Sequence, residues 1–408
     1  MDRTILHIDM NNCYASIEAV YNPALKGKPV AVVGDPEARH GIVLAKSQEA
    51  KLCGVTTGNP IWKAKKDCPD IILIPPHYDW YLKHSRMAKA MYYEYTDLVE
   101  TLGLDECWLD VTGSLRIFGS GKAIADDIRA RMKETLGVSV SIGVSWNKMF
   151  AKLGSDYKKP DATTVFNRED METIIWNLPV SDMWGSGWAT TPKLHALGIF
   201  TIGDLARTSA DALKAKFGVF GHQLWAVANG HDISAVHGHE SDPIKSFGNS
   251  TTTPRDLKNE EDIKITLYVL AESVAKRMRE QNFKCRTVQI WIRYSDMSSF
   301  ERQGTLSQPV SNSQDIFDMA LALFRENRER GRAIRGLGVR GCNLESGTYV
   351  QEGFLPEQKR SLRRDDLENS IDSLRSRYGH FVVQRGKLMT DTSLSGFDPG
   401  DNVGFMNT

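Results

Sequence analysis

The sequence predicts a multidomain α+β protein whose first half holds a ferredoxin-like sheet. Three observations predict it. The chain has 408 residues, more than one hydrophobic core organises, so two to four domains are expected. Up to Tyr157 the periodicities run strand, helix, strand, strand, helix, strand, the order of a ferredoxin-like sheet with helices on one face. From about Asp182 the pattern turns helical with Gly-rich turns, and after a polar stretch around His237 to Ser246 a second α/β region begins.

The elements follow in order. TILHID is a β-rich apolar run ending in an acid, and Cys13, Ile17 and Val20 at helical spacing make the next stretch a helix. Residues Asn22 to Pro76 are broken by many Gly and Pro and read as a small irregular subdomain. A helix around Leu82 to Met91 precedes strands over Leu98 to Leu102 and Cys107 to Val111, with Cys107, Leu109 and Val111 on one face and Trp108 and Asp110 on the other. Ile124, Ile128, Met132 and Leu136 stripe one helix, stopped by Gly137; Val138 to Val144 alternates as a strand, and Lys148 to Tyr157 is helical. Gly119-Ser120-Gly121-Lys122 is a helix start and not a phosphate loop, because Ala123 stands where that motif needs Ser or Thr. Downstream, helices are expected over Asp262 to Glu280 and Ser313 to Asn327, and strands over Cys285 to Tyr294, Phe300 to Leu306 and Leu337 to Leu344. A last helix, Leu362 to Tyr378, has Leu367, Ile371 and Leu374 as its apolar face and Gly379 as its stop.

Composition excludes some classes. The chain is 41% hydrophobic and 25% charged, which argues against wholesale disorder. No apolar run reaches bilayer-spanning length and the N-terminus lacks a signal peptide, so no membrane association and a cytoplasmic location are expected. Six cysteines without a CxxC pair read as reduced packing residues. The 51 basic and 51 acidic residues cancel, but a polyanion responds to local segregation of charge, and Arg325 to Arg340 is a run with few acids.

The chemistry rests on carboxylates. Asp9 ends the first strand, and Asp105 and Glu106 sit at the strand-to-strand turn within LDECWLD. In a ferredoxin-like sheet these segments are neighbours, so three acids could converge on one edge, the two consecutive ones only because a turn bends there. Such oxygen ligands suit hard cations like Mg²⁺, and two ions about 3.5–4 Å apart activate a hydroxyl and stabilise a leaving pyrophosphate. Taken singly, each acid is ordinarily a solvated turn residue.

Their company decides the matter. HIDMNNCYASIE resembles the opening motif of Y-family DNA polymerases, LDECWLD the second, and SWNKMFAKLGSDYKKP the third. LDECWLD, Asn11 and the WGSG turn resemble the UmuC-type SOS-mutagenesis branch more than the archaeal or DinB-type ones. The resemblance implies a palm over 1–20 and 78–167, fingers over 21–77, a helix-hairpin-helix thumb over 168–236, an α/β little finger over 240–345 and a tail over 346–408. It implies low-fidelity, template-directed transfer of dNMP from dNTP to a primer 3′-hydroxyl on primer-template DNA, with two Mg²⁺ per site. Asp9, Asp105 and Glu106 match the metal-binding acids, with the Met10 carbonyl as a backbone ligand. Tyr14 matches the steric gate that excludes a 2′-hydroxyl, and Lys159 the triphosphate lysine. Gln48 and Lys51 stand where many members have Tyr and Arg, so a point charge replaces a bidentate fork. Ile42 and Leu44 match positions over the nascent base pair that are often small in relatives.

Gly185 and Gly187 match backbone phosphate contacts of the thumb hairpin, and Thr201 with Asp204 has capping-box spacing. Arg325, Arg332 and Arg335 are expected on the DNA-facing side of the little finger. Gln351, Phe354 and Leu355 loosely resemble a sliding-clamp peptide, with Phe and Leu in swapped order. Two other readings share parts of the pattern. A catalytically silent scaffold that binds DNA or clamp has no need of three mutually repelling acids. A nucleotidyl cyclase lacks the helix-hairpin-helix and the second α/β domain.

Overall fold

A computed structural model of the chain describes residues 2–35, 41–238, 244–346 and 356–396. These fall into two compact units, one covering the described residues up to 238 and the other those from 244 on. Strands of the first unit are β1 (Ile5–Met10), β2 (Val30–Val33), β3 (Val43–Lys46), β4 (Ile72–Ile74), β5 (Val99–Leu102), β6 (Glu106–Asp110), β7 (Val140–Ser145) and β8 (Thr163–Val165). Five of them form one sheet in the order β5-β6-β1-β7-β8. The first four are antiparallel neighbours in the ferredoxin-like order the periodicity predicted, and β8 adds a parallel edge.

Alternation along β1 sends Leu6, Ile8 and Met10 to one face, where they join Cys107, Leu109, Val140, Ile142 and Val144. The helices Cys13–Tyr21, Tyr78–Tyr92 and Gly121–Arg131 cover that face through Ile17, Tyr81, Met91, Ile124 and Ile128. The expectation of helices on one face only is corrected here. The helix Lys148–Tyr157 packs on the opposite face, against β7 and β1. Glycines make room for it: a Cβ on Gly143 would lie 1.9 Å from the Ala151 carbonyl oxygen and 2.5 Å from the Ser155 nitrogen.

The span read as irregular is also corrected. It holds a three-stranded sheet, order β3-β2-β4, closed by the helices Gln48–Leu52 and Ile61–Asp67 around Ala31, Val33, Val43, Ala50 and Ala64. Strands of three or four residues between Gly and Pro are too short to show alternation. Further on, Phe150 and Leu153 join Val180, Leu194, Ile202, Leu205, Leu213 and Leu224 in a helical core. There the helix Ile202–Arg207 starts at the predicted capping box, with Thr201 Oγ1 accepting from the Asp204 N–H at 3.0 Å and Asp204 accepting from the Thr201 N–H at 2.9 Å.

The second unit contains β9 (Ser246–Leu257), β10 (Phe283–Tyr294), β11 (Ser299–Val310) and β12 (Ile334–Ser346), antiparallel in the order β11-β10-β12-β9. The helices Glu260–Glu280 and Ser313–Asn327 pack on this sheet, Leu270, Val274, Ile316 and Phe324 meeting Val288, Ile290, Leu337 and Val339. Strand β9 escaped the sequence reading because it is polar and carries Pro254, which an edge strand tolerates.

The tail helix Pro356–Tyr378 docks the other way round from its predicted apolar face. Leu367 and Leu374 are 55% and 43% exposed, while Asp365, Glu368 and Arg375 are buried. Glu368 accepts from the Ser313 N–H at 2.9 Å and from Arg279 at 2.6 Å; Asp372 pairs with Arg279 at 2.7 Å and Lys284 with Asp365 at 3.2 Å. Thus a charged helix face buries itself because each of these groups finds a partner. Gln351, Phe354 and Leu355 lie outside the described residues. All six cysteines are free, and among the described residues no helix is long and apolar enough to cross a membrane.

Candidate active site

The end of β1 and the turn between β5 and β6 meet through one hydrogen bond, the Met10 N–H donating to the Asp105 carbonyl at 3.1 Å. Beside it opens a cleft of about 390 Å³. Asp9, Met10, Tyr14, Leu44, Gln48, Lys51, Asp105 and Lys159 all line it, so eight residues singled out from separate parts of the sequence face one cavity. Ile42 is not among the lining residues; it is 40% exposed and bridges to Pro60.

Glu106 also departs from the convergence expected of it. It is the first residue of β6 and lies directly across from Asp9, but its carboxylate accepts from His7 Nε2 at 3.1 Å and from Lys152 Nζ instead of lining the cleft. His7 is itself fully buried, and its Nδ1 lies 2.8 Å from Ser155 Oγ. Among the described residues no three His, Cys, Asp or Glu side chains come together as a metal cluster.

Electrostatics separates the three acids. Burial raises the Asp9 carboxyl to about 6, against the pull of Lys159, whose Nζ lies 2.5 Å from Asp9 Oδ2. Burial and the neighbouring Glu106 raise Asp105 too. Burial would also lift Glu106, but His7 and Lys152 hydrogen bonds overcome it and hold the carboxyl at about 2. A buried carboxylate and a half-buried one, Asp9 and Asp105, that both resist their own charge are hard oxygen donors that a divalent cation satisfies. The donor set therefore fits a hard divalent cation, with Asp9 and Asp105 in the cleft and Glu106 beside it.

Tyr14 stands on a built wall. Its ring stacks on Tyr81 at 4.2 Å between centroids and 6° between planes. Tyr81 is fully buried, donates to Glu18 and accepts from the His77 N–H at 3.1 Å. Asn11 is buried as well: its Oδ1 accepts from the Asp161 N–H at 2.8 Å, tying the loop that carries Lys159 to the end of β1. Sequence reasoning missed His7, Asn11, Lys46 and Lys152 as members of this neighbourhood. A polar residue fully buried beside a strand-end acid is a signal only once burial is known.

The nucleic-acid residues divide. Gly185 has φ +95° and packs against Phe220, whereas a Cβ on Gly187 would meet open space. Trp184 of the same turn stacks on Trp108 of β6 at 5.2 Å. The three arginines sit on a helix, a loop and a strand. Arg325 ends a helix and pairs with Glu260 at 2.6 Å, and Arg332 pairs with Glu329 and lies 3.8 Å over the Tyr294 ring. Arg335 sits where the β12 register shifts. The sheet face away from the two helices carries the opposed pairs Gln289–Arg340, Trp291–Gly338 and Arg293–Gly336.

A sheet of this order, with paired acids in a nucleotide-sized cleft and a helical hairpin unit beside it, defines a class. The chain belongs to the Y-family DNA polymerases. Residues 8–156 match the impB/mucB/samB family, residues 244–354 its C-terminal domain, and residues 181–232 the thumb domain of DNA polymerase-iota. It is 46% identical over 397 residues to DNA polymerase IV of Acetivibrio thermocellus, spanning 97% of this chain and 100% of that one. DNA polymerase IV 1 of Halalkalibacterium halodurans is 38% identical, spanning 94% and 93%, and that of Bacillus subtilis 37%, spanning 95% and 93%. The fold is that of a solved Y-family DNA polymerase chimera of Dbh and Dpo4, with a TM-score of 0.74 at 24% identity over 83% of this chain and 98% of the other. The relatives carry the DNA polymerase IV name of the DinB-type branch, which corrects the UmuC-type affinity read from LDECWLD, Asn11 and WGSG.

Proposed function

We propose that this cleft performs translesion-type, template-directed DNA synthesis, joining dNMP from a dNTP to the primer 3′-hydroxyl. The observation that carries the reading is the single cleft shared by Asp9, Asp105, Tyr14 and Lys159. Asp9 and Asp105, with the Met10 carbonyl and Glu106, are the residues that would hold two Mg²⁺. When bound, the ions supply activation of the attacking oxygen and charge stabilisation on the leaving pyrophosphate. Lys159 bears positive charge onto the triphosphate, its own charged form favoured by Asp9 and Asp156 even though burial opposes it. Tyr14, held by Tyr81, presents a rigid ring under the sugar.

The same reading assigns the palm to 1–20 and 78–167, the fingers to 21–77, the thumb to 168–236 and the little finger to 240–345. It gives Gly185 and Gly187 a backbone phosphate contact, Gln351, Phe354 and Leu355 a sliding-clamp contact, and the protein a cytoplasmic location. The test is primer extension with Mg²⁺ by wild type and Asp105→Ala. Removing a cleft carboxylate removes several kcal/mol of metal-borne stabilisation, so kcat/KM should fall by at least about 10²-fold. Undiminished synthesis by the variant would sink the mechanism.

A further inference from the structure

We propose that Lys46 is a further nucleotide-binding residue, a second finger lysine that with Lys51 takes over the triphosphate contact of a bidentate arginine fork. This rests on the nucleotidyl-transfer reading above. Lys46 is the last residue of β3, paired with Ala31, and Ser47 then caps the helix that carries Gln48 and Lys51. All three of Lys46, Gln48 and Lys51 line the cleft that holds Asp9, Asp105 and Lys159. The finger strand and finger helix therefore deliver two ammonium groups to the same cavity.

Their partners set them apart from the other lysines near the site. Lys159 is matched by Asp9 and Asp156, and Lys152 by Glu106. Among the described residues the Lys46 ammonium makes one hydrogen bond, to the Thr57 hydroxyl at 3.3 Å, and neither it nor Lys51 has a carboxylate partner there. An ammonium has three donors, so one bond to Thr57 leaves two for a ligand. Burial and the neighbouring Lys51 depress the Lys46 pKa, the mark of a cation held near a like charge without a counter-anion. Two cations without a counter-anion in a concave site attract a polyanion, and a triphosphate carries the charge to match both. A lysine is a point charge; two of them at different positions recover the reach that one planar guanidinium has.

The test uses the full chain as wild type, Lys46→Met and Lys46→Arg, in single-nucleotide insertion on primer-template DNA with Mg²⁺. Losing a charge-assisted contact should raise the KM for dNTP about tenfold in Lys46→Met and leave kcat within about twofold. Lys46→Arg should restore most of the KM, and the melting temperature and the primer-template Kd should not move. Inorganic triphosphate should bind Lys46→Met about tenfold more weakly than wild type by calorimetry. An unchanged KM in Lys46→Met would overturn the assignment. So would a weakened primer-template Kd with an unchanged nucleotide KM, since the charge would then serve a DNA phosphate. Should wild type fail to extend a primer, the transfer reading falls, and triphosphate calorimetry on the two proteins still decides the lysine.

Discussion

Gly143→Ala places one methyl group where the catalytic sheet touches the helix Lys148–Tyr157. The new Cβ would lie 1.9 Å from the Ala151 carbonyl oxygen, whereas a carbon meets a carbonyl oxygen at about 3.4 Å. The helix must retreat by about 1.5 Å, and no rotamer change helps because the opposing atoms are backbone. Overpacking of this kind costs up to about 3 kcal/mol, which lowers the melting temperature of a unit this size by about 6–12 °C. The retreating helix carries Lys152, which holds Glu106, and leads directly to Lys159. A misplacement of this order costs about 10²-fold in turnover. Thermal melting and the kcat/KM for primer extension, measured on the same preparation, test both parts. A variant that melts within about 1 °C of wild type and keeps kcat/KM within about twofold would refute the packing argument.

Two further outcomes follow from the contacts described. Tyr14→Ala removes the ring that Tyr81 supports, and the preference for dNTP over rNTP, taken as a ratio of kcat/KM values, should drop at least about tenfold; an unchanged ratio would remove Tyr14 from the sugar site. Glu368→Gln breaks a buried pair, but Arg279 keeps Asp372 at 2.7 Å and the Ser311 carbonyl at 2.7 Å. The loss should sit at the low end for such pairs, about 3 kcal/mol, read as a lower denaturation midpoint and faster amide exchange across the helix Pro356–Tyr378. Exchange at the wild-type rate would mean that the helix is held by something other than its charged face.

What the sequence disclosed depended on length and regularity. Ser313–Asn327 and Lys148–Tyr157 were legible to the residue, because each spans several turns and begins at an Asn cap. The order of β1, β5, β6 and β7 followed from alternation and from the helix between β6 and β7. Strands β2 to β4 were hidden by their brevity and β9 by its polarity. For the site, Asp9, Asp105, Tyr14 and Lys159 stood out through motif spacing. The posture of Glu106 did not, since it depends on His7 and Lys152, which come from a neighbouring strand and from a helix on a face the sequence left bare. Likewise the tail helix has an apolar stripe in its sequence, yet Arg279 and Lys284 select its acidic side. A partner's charge is invisible to a periodicity read along one segment.

The Trp108–Trp184 stack joins the strand that begins at Glu106 to the Gly-rich turn of the helical region. Two indoles 5.2 Å apart and 23° from parallel are close enough for their excited states to couple, so the pair is a native chromophore dimer. Its exciton signal in circular dichroism reports, without any label, whether that turn stays seated on the catalytic strand. Lys148, which lies 4.7 Å from the Trp108 ring, adds a local field that tunes the same transition. The polymerase thus carries its own optical gauge of the joint between the sheet that does the chemistry and the turn expected to hold DNA.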